Sequence, residues 1–225
     1  MTRQLGLPLI PVVPVRLCPL PGPLYSVLMG YKESPTAEAR LRFGAIVDAL
    51  CTDFFQRHGR CLAAALGGPV DVVLPVPSSS RPGRAPLDRV PGLAGHVEQS
   101  LAPAASWRPS VLRRAGGPIG HMRPSAAAFE VPAPFRPAVK GRRLVLLDDT
   151  YVSGSRAQSA AAALRRAGAR ATLIVTLGRV VRPDRSTLHE RFLRRCEAPV
   201  GTGDAGTGTA PARCCRCAQT GAPTE

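Results

Sequence analysis

Short apolar runs alternate along this chain with segments whose apolar residues recur at helical spacing. The runs at residues 71–77, 144–147 and 171–177 have the length and composition of strands buried on both faces of a parallel sheet. Helical spacing or strong helix propensity marks residues 35–58, 60–66, 86–101, 156–167 and 188–195. This alternation predicts an α/β fold, in which a central parallel sheet is flanked by helices and built with right-handed crossovers.

Single residues set two of the predicted helix limits. Gly59 is expected to end the first long helix, and Pro91 is expected to lie in the first turns of the helix at 86–101 or to break it. A short strand is predicted at residues 107–114.

Three segments have no regular period. Residues 1–24 are rich in proline and predict an extended arm, whereas residues 115–140 combine Gly, Pro and Arg in a long irregular segment. Residues 197–225 are rich in Gly, Thr, Ala and Pro, which predicts a flexible, disordered tail. The expected organisation is therefore an N-terminal arm, one domain at residues 25–196, and the tail.

The run at 144–147 leads into the most informative stretch of the chain. Two acids, Asp148 and Asp149, follow it directly, and a small polar turn at residues 150–155 then precedes the helix. Unpaired backbone N–H groups at a helix N-terminus favour a phosphate, and carboxylates just upstream can accept hydrogen bonds from ribose hydroxyls. The order predicts a site for a phosphorylated sugar, although a solvated loop or a helix N-cap would also explain an acidic pair here.

This stretch resembles the phosphoribosyl pyrophosphate (PRPP) signature of type I phosphoribosyltransferases. Asp148 and Asp149 match the two acids of the family pattern. Ser153 matches its second threonine, and Gly154 and Ser155 match the glycine and the small residue after it.

Two positions depart from the family pattern. Val152 stands where the first threonine would be and removes a hydroxyl, and Arg156 stands where the last threonine would be. The guanidinium of Arg156 could replace the lost contacts with a charge-assisted bond to the phosphate, or it could point to solvent.

A second loop and an early segment resemble the ComF-like, amidophosphoribosyltransferase-like branch of this family. The early segment is residues 25–32, YSVLMGYK, in which Lys32 is either an exposed lysine or a substrate contact. The strand at 71–77 runs into hydroxyls and a cation, which suits an anion at the carboxyl edge of a parallel sheet. By resemblance this is the pyrophosphate-binding loop, and a plain polar loop is the alternative. Its residues are Ser78, Ser79, Ser80 and Arg81.

The resemblance implies a type I phosphoribosyltransferase fold with a mobile flap at residues 115–140. It implies an enzyme of nucleotide metabolism that transfers 5-phosphoribosyl from PRPP to an unknown, nitrogenous acceptor and releases pyrophosphate. Asp148 and Asp149 would be the catalytic acids, and Mg²⁺ would be the cofactor, arriving with PRPP and contacting the protein, if at all, at these acids. PRPP would be bound by Thr150, Tyr151, Val152, Ser153, Gly154, Ser155 and Arg156.

Charge keeps a second function class open. The formal net charge is +15, carried almost entirely by arginine because Lys32 and Lys140 are the only lysines. Such an excess attracts polyanions, so the alternative is a non-catalytic ComF-like protein, related to DNA uptake, that binds nucleotides or nucleic acid. The aromatic content of 4% argues against base-stacking platforms, and the acidic pair favours the enzyme.

Cysteine usage and hydropathy bear on location. Seven dispersed cysteines do not resemble a secreted disulfide framework, and the apolar run near the N-terminus is short and broken by prolines. A cytoplasmic protein without a membrane partner is therefore expected, and the family resemblance is compatible with a homodimer.

The C-terminal cysteines suggest a candidate zinc site. Cys214 and Cys217 have C-x-x-C spacing, and His189 and Cys196 could complete four ligands. The spacing between the two halves is irregular, so an incidental group of thiols is the alternative.

Overall fold

The computed structural model describes residues 1–78 and 85–197, with residues 192, 193 and 195–197 described by their backbone alone. Its strands are β1 (Val12–Pro19), β2 (Val72–Pro75), β3 (Ser106–Trp107), β4 (Arg113–Arg114), β5 (Phe129–Glu130), β6 (Arg143–Tyr151) and β7 (Ala171–Val181). Five of them form a parallel sheet in the order β1-β7-β6-β2-β3. Strands β4 and β5 form a separate antiparallel pair.

Helices cover both faces of the parallel sheet. They are α1 (Thr2–Leu5), α2 (Pro23–Glu33), α3 (Ala37–Leu66), α4 (Leu93–Ser100), α5 (Ser155–Arg166) and α6 (Thr187–Glu197), with 3₁₀ turns at Pro86–Arg89, Pro109–Val111 and Ala133–Ala138. Val145 and Leu147 of β6 face a core shared with α2, α3 and α4, whereas Leu144 and Leu146 face a core shared with α5. The predicted α/β fold, a central parallel sheet flanked by helices, is confirmed. In the described residues, no helix is long and apolar enough to cross a membrane.

The predicted helix end at Gly59 is wrong. Helix α3, which is 30 residues long, continues through Gly59 and ends at Leu66, and Gly67 after it adopts a left-handed conformation with φ 68°. A Cβ at position 59 would lie 3.1 Å from Leu101 Cδ2, so glycine allows the end of α4 to pack closely against α3. Close packing, rather than a turn, accounts for this glycine.

Three other segments differ from their expected form. The proline-rich arm contains β1, which pairs along its length with β7 and is an edge strand of the same sheet. An edge strand tolerates proline because one row of its backbone groups needs no partner. The helix at 86–101 is split on either side of Pro91, and the strand at 107–114 is divided between β3 and β4, which lie in different sheets.

A buried glutamine ties the segment before β1 to α5. The Gln158 side chain accepts a hydrogen bond from the Ile10 backbone N–H at 2.9 Å and donates to the Ile10 carbonyl at 2.8 Å. Gln158 is only 2% exposed, so water cannot replace these bonds if the side chain is lost.

We therefore expect Gln158→Ala to lower the free energy of unfolding by about 2–4 kcal/mol, because it leaves two backbone groups of Ile10 unpaired and opens a small cavity. Chemical denaturation measures the loss. Gln56→Ala, at an exposed position of α3, is the matched control and should change stability by less than about 0.5 kcal/mol. Equal effects of the two substitutions would contradict the assignment.

Candidate functional site

Both acids of the motif lie within β6 rather than after it. The ladder with β7 continues to the Tyr151↔Arg179 pair, so the expected strand end before Asp148 is wrong. Side chains alternate along a strand, which directs Asp148 toward α5 and Asp149 toward α2. Both carboxylates are buried, with 4% and 3% of their surface exposed. The two acids therefore meet different surroundings.

Asp149 is held by two neighbours from the last turns of α2. The Lys32 ammonium lies 2.7 Å from Asp149 Oδ2, and the Tyr31 hydroxyl donates to the same oxygen. Burial alone would raise the pKa of Asp149, but the Lys32 charge and the hydrogen bonds from Lys32 and Tyr31 bring it below its ordinary value. Burial and the Asp149 charge in turn raise the pKa of Tyr31 well above its ordinary value. Asp149 is thus an ionised carboxylate fixed inside the fold.

Asp148 has a more distant cation, Arg156, and its carboxylate lines a cavity. Its Oδ1 lies 3.5 Å from Arg156 Nη2, and the same nitrogen lies 3.9 Å from Asp149 Oδ1. Burial raises the pKa of Asp148 to about 6, against the opposing charge of Arg156. Neither sequence expectation for Arg156 describes this arrangement, in which the guanidinium folds back onto the two acids.

The turn after the acids presents the N-terminus of α5. Gly154 precedes the helix with φ 76°, and a Cβ at this position would collide with the Tyr151 hydroxyl. The Ser153 hydroxyl lies 3.3 Å from that of Ser155 and accepts a hydrogen bond from the Ser155 N–H at 3.5 Å. Thr150 Oγ1 is buried and has no hydrogen-bond partner among the described residues. The turn therefore offers hydroxyls and helix N–H groups to an anion.

These residues line one cavity of about 370 Å³. Asp148 and the whole stretch from Thr150 to Arg156 contribute to it, and Asp149 does not. Val152 is 58% exposed, so the departure from threonine removes a hydroxyl without burying a new apolar group.

The opposite wall comes from β4 and the segment after it. Arg114, Ile119 and His121 line the cavity there. Arg114 donates to the Gly117 carbonyl at 3.2 Å and lies over the Phe129 ring at 4.9 Å, and its Nη1 is buried without a hydrogen-bond partner in the described structure. This cation was not identified from the sequence, because two-residue strands produce no readable period.

The sequence also does not connect Lys32 and Tyr31 with the acids. The Lys32 side chain is 20% exposed, so it is neither a surface lysine nor, in this arrangement, a residue facing the cavity. The one local feature of the sequence that could indicate this contact is the adjacent tyrosine and lysine at the end of α2. Their partner lies 117 or more positions further along the chain, which a local pattern cannot reveal.

The pyrophosphate-loop residues are only partly described. Ser78 lies just beyond β2, whose end adjoins β6 through a 2.9 Å hydrogen bond from the Val76 N–H to the Leu147 carbonyl. Ser79, Ser80 and Arg81 lie outside the described residues, so their role stays a prediction.

The zinc hypothesis also stays a prediction. His189 belongs to α6, where its Nδ1 accepts a hydrogen bond from the Arg182 N–H at 3.1 Å. The Cys196 side chain, Cys214 and Cys217 are outside the described part.

The site fits Mg²⁺ held largely through a substrate. Within residues 1–78 and 85–197, no three His, Cys, Asp or Glu side chains form a metal cluster. Asp148 nevertheless presents a carboxylate to the cavity. Asp149 does not line it, although its Oδ1 is a buried oxygen without a hydrogen-bond partner among the described residues. Mg²⁺ commonly uses one or two carboxylates together with substrate phosphates and water, which this donor set allows.

Comparison with known proteins shows only limited similarity, and only to solved structures. No family model and no curated protein matches the chain. One similar solved structure is the allosteric regulatory enzyme of purine biosynthesis, with 22% identity over 56% of this chain and a TM-score of 0.31. Another is glutamine PRPP amidotransferase from B. subtilis complexed with ADP and GMP, with 18% identity over 66% and a TM-score of 0.36. The chain spans only 25% and 30% of those two proteins.

Lys32→Gln should destabilise the protein by about 2–4 kcal/mol near pH 7, because it leaves the Asp149 carboxylate buried without its counter-ion. The deficit should shrink as the pH falls, since Asp149 becomes protonated and no longer needs a cation. Denaturant unfolding of wild type and variant between pH 4.5 and about 8 measures this difference.

Arg57→Gln is the control, because it breaks the exposed Arg57–Asp53 pair of α3 and should cost less than about 0.5 kcal/mol at any pH in that range. A pH-independent deficit in Lys32→Gln would show that Asp149 does not depend on Lys32.

Proposed function

We propose that this chain is a PRPP-dependent phosphoribosyltransferase that transfers 5-phosphoribosyl to a nitrogenous acceptor and releases pyrophosphate. The observation that carries the proposal is a single cavity lined by Asp148, by the turn at residues 150–154 and by the first residues of α5. A carboxylate for ribose hydroxyls and a helix N-terminus for a phosphate are thereby placed together, as a phosphorylated pentose requires.

The 5′-phosphate belongs at the turn. Ser153 and Ser155 supply hydroxyls, Gly154 allows close approach of the backbone, and Thr150 has a buried hydroxyl that lacks a partner in the described structure. Each of these groups can donate to a phosphate oxygen without first giving up a strong bond.

The two acids have different roles in this proposal. Asp148 faces the cavity and accepts hydrogen bonds from the ribose hydroxyls. Asp149 is paired with Lys32 and Tyr31 and acts as a positioning residue that fixes this end of β6.

In the reaction, the bond from the anomeric carbon to pyrophosphate breaks with its electron pair leaving on pyrophosphate. The acceptor nitrogen donates a pair to the same carbon and afterwards releases a proton to water. The sugar passes through an oxocarbenium-like state, as in glycoside chemistry. The Asp148 carboxylate, which lines the cavity, would stabilise that charge. Bound Mg²⁺ would neutralise charge on the leaving pyrophosphate, held by PRPP oxygens and the Asp148 carboxylate.

The wall opposite the turn completes the site. Ile119 and His121 can exclude water from a bound sugar, and Arg114 adds a positive charge that favours a phosphorylated ligand. Exclusion of water matters because hydrolysis would otherwise compete with transfer to the acceptor.

The second candidate function is non-catalytic binding of nucleotides or nucleic acid, which the net charge of +15 favours. The cavity distinguishes the two candidate functions, because a buried carboxylate does not help a surface to bind phosphate backbones. Association that weakens steeply with salt and is unaffected by Asp148→Asn would support this second candidate.

Asp148→Asn should weaken PRPP binding in the presence of Mg²⁺ by about 10- to 100-fold, the effect of losing charge-assisted hydrogen bonds to ribose. Isothermal titration calorimetry at pH 7.5 measures it. Because the wild-type carboxyl has a pKa of about 6, the ratio of the two affinities should shrink at pH 5 as Asp148 becomes protonated.

Asp184→Asn is the charge-matched control at an exposed position, and it should bind PRPP like wild type. Thermal unfolding at pH 7.5 should show Asp148→Asn no less stable than wild type, since a carboxyl whose pKa is raised by burial disfavours folding when ionised. Unchanged PRPP affinity in a folded variant would overturn the site.

Arg156→Thr restores the family residue and should preserve or improve PRPP affinity, by up to about tenfold. Without ligand, Arg156 lies on Asp148 and Asp149, so its removal frees a carboxylate and adds a hydroxyl at the first turn of α5. Arg191→Thr, an exposed change on α6, controls for net charge. A large loss of affinity in Arg156→Thr alone would instead mean that the guanidinium moves onto the phosphate.

A further inference from the structure

A second cavity, of about 480 Å³, lies at the other end of α5. It is formed where the last turn of α5 meets β5 and the 3₁₀ turn at Ala133–Ala138. Helix α5 has 12 residues, which separates its two ends by about 18 Å. The second cavity is therefore distinct from the one lined by Asp148.

Three cations line this cavity: Arg136, Lys140 and Arg166. In the described part of the chain, none of the three forms an ion pair with an acid. The one acid in the lining, Glu130, is bonded to Arg113 at 2.8 Å and is already neutralised. The cavity thus gathers an uncompensated positive charge, which favours an anion with at least two negative charges.

The C-terminus of α5 is the negative end of the helix dipole, so it does not itself attract an anion. The Ala167 N–H donates to Ala163, the Gly168 N–H to Arg165, and the Ala169 N–H to Leu164. These bonds satisfy three carbonyls near the end of the helix, and the attraction for an anion comes from the three cations that line the cavity.

Lys140 starts beside this helix end. Gly168, with φ 90°, lies so close that a Cβ there would be 3.3 Å from Lys140 Cγ. The neighbouring Gly141 N–H donates to the Gly168 carbonyl at 2.8 Å, which fixes the backbone next to the lysine. The first carbons of the Lys140 side chain therefore lie against the helix end, while the residue as a whole is exposed.

The remaining wall is apolar, with Phe129 1% and Val131 6% exposed. A cavity of this size suits a small organic molecule, and arginine forks match phosphoryl oxygens two at a time. We propose that this cavity binds a small phosphorylated anion, with Arg136, Lys140 and Arg166 contacting the phosphoryl groups. This site goes beyond the proposed transferase activity and needs neither PRPP nor an acceptor.

Lys140 provides a local reporter, because Lys32 is the only other lysine and is paired with Asp149. We would acetylate the whole protein with an N-hydroxysuccinimide ester and follow Lys140 by mass spectrometry while adding inorganic tripolyphosphate, without Mg²⁺. Sodium chloride keeps the ionic strength constant, and an added lysine peptide reports on the reagent. Acetylation of Lys140 should slow saturably, by about tenfold at ten times the half-saturating concentration.

Arg136→Gln should shift half-saturation to concentrations about tenfold higher, the effect of one lost charge-assisted contact. Arg170→Gln removes the same charge from an exposed position outside the cavity. It should change the half-saturating concentration by less than about twofold. Thermal unfolding would confirm that both variants are folded. Protection that does not saturate, or that both variants lose equally, would overturn the proposal and indicate diffuse charge attraction.

Discussion

Two adjacent carboxylates inside a parallel sheet must be neutralised by side chains from outside that sheet. Asp148 and Asp149 are nearly inaccessible to water, and the β7 residue paired with Asp148 is the uncharged Thr176. Ionised acids in such a place are costly unless cations approach closely. The structure meets this requirement from both faces, with Lys32 of α2 on one side and Arg156 of α5 on the other. The position of α2 depends on this ion pairing. Gly178 of β7 allows α2 to approach, because a Cβ at this position would lie 2.5 Å from Leu28 of α2.

The same requirement explains the behaviour of Arg156. Two acids and two cations leave the pair neutral in the absence of a ligand, so the attraction for a phosphate comes from the α5 N-terminus and Arg114. A threonine at position 156 would leave Asp148 without a close cation until a metal or a sugar arrived. Arginine therefore lowers the free-energy cost of burying the acids in the absence of a ligand, and in the proposed reaction it would have to leave Asp148 before a ribose could bind there.

The sheet could be predicted from sequence more completely than the site. Continuous apolar runs identify the cores of β2, β6 and β7, because strands buried on both faces carry few polar residues. The same rule predicts the end of β6 too early. The Asp148–Asp149 pair breaks the apolar pattern, but β6 continues to pair with β7 beyond it. Lys32 and Asp149 are remote in sequence, so their contact depends on how α2 packs and has no local signature. Gly59 misleads for a related reason, because its close approach to Leu101 is tertiary.

The β4–β5 pair contributes lining residues to both cavities. Arg114 lines the first cavity and Phe129 the second, and the two side chains are stacked at 4.9 Å. The base of this pair is firmly held, since Phe129 is buried and the Ser125 N–H donates to Ser159 Oγ of α5 at 2.9 Å. A base packed this closely moves only together with α5. Any closure over the first cavity must therefore come from the tip at residues 119–121, beyond the anchored base.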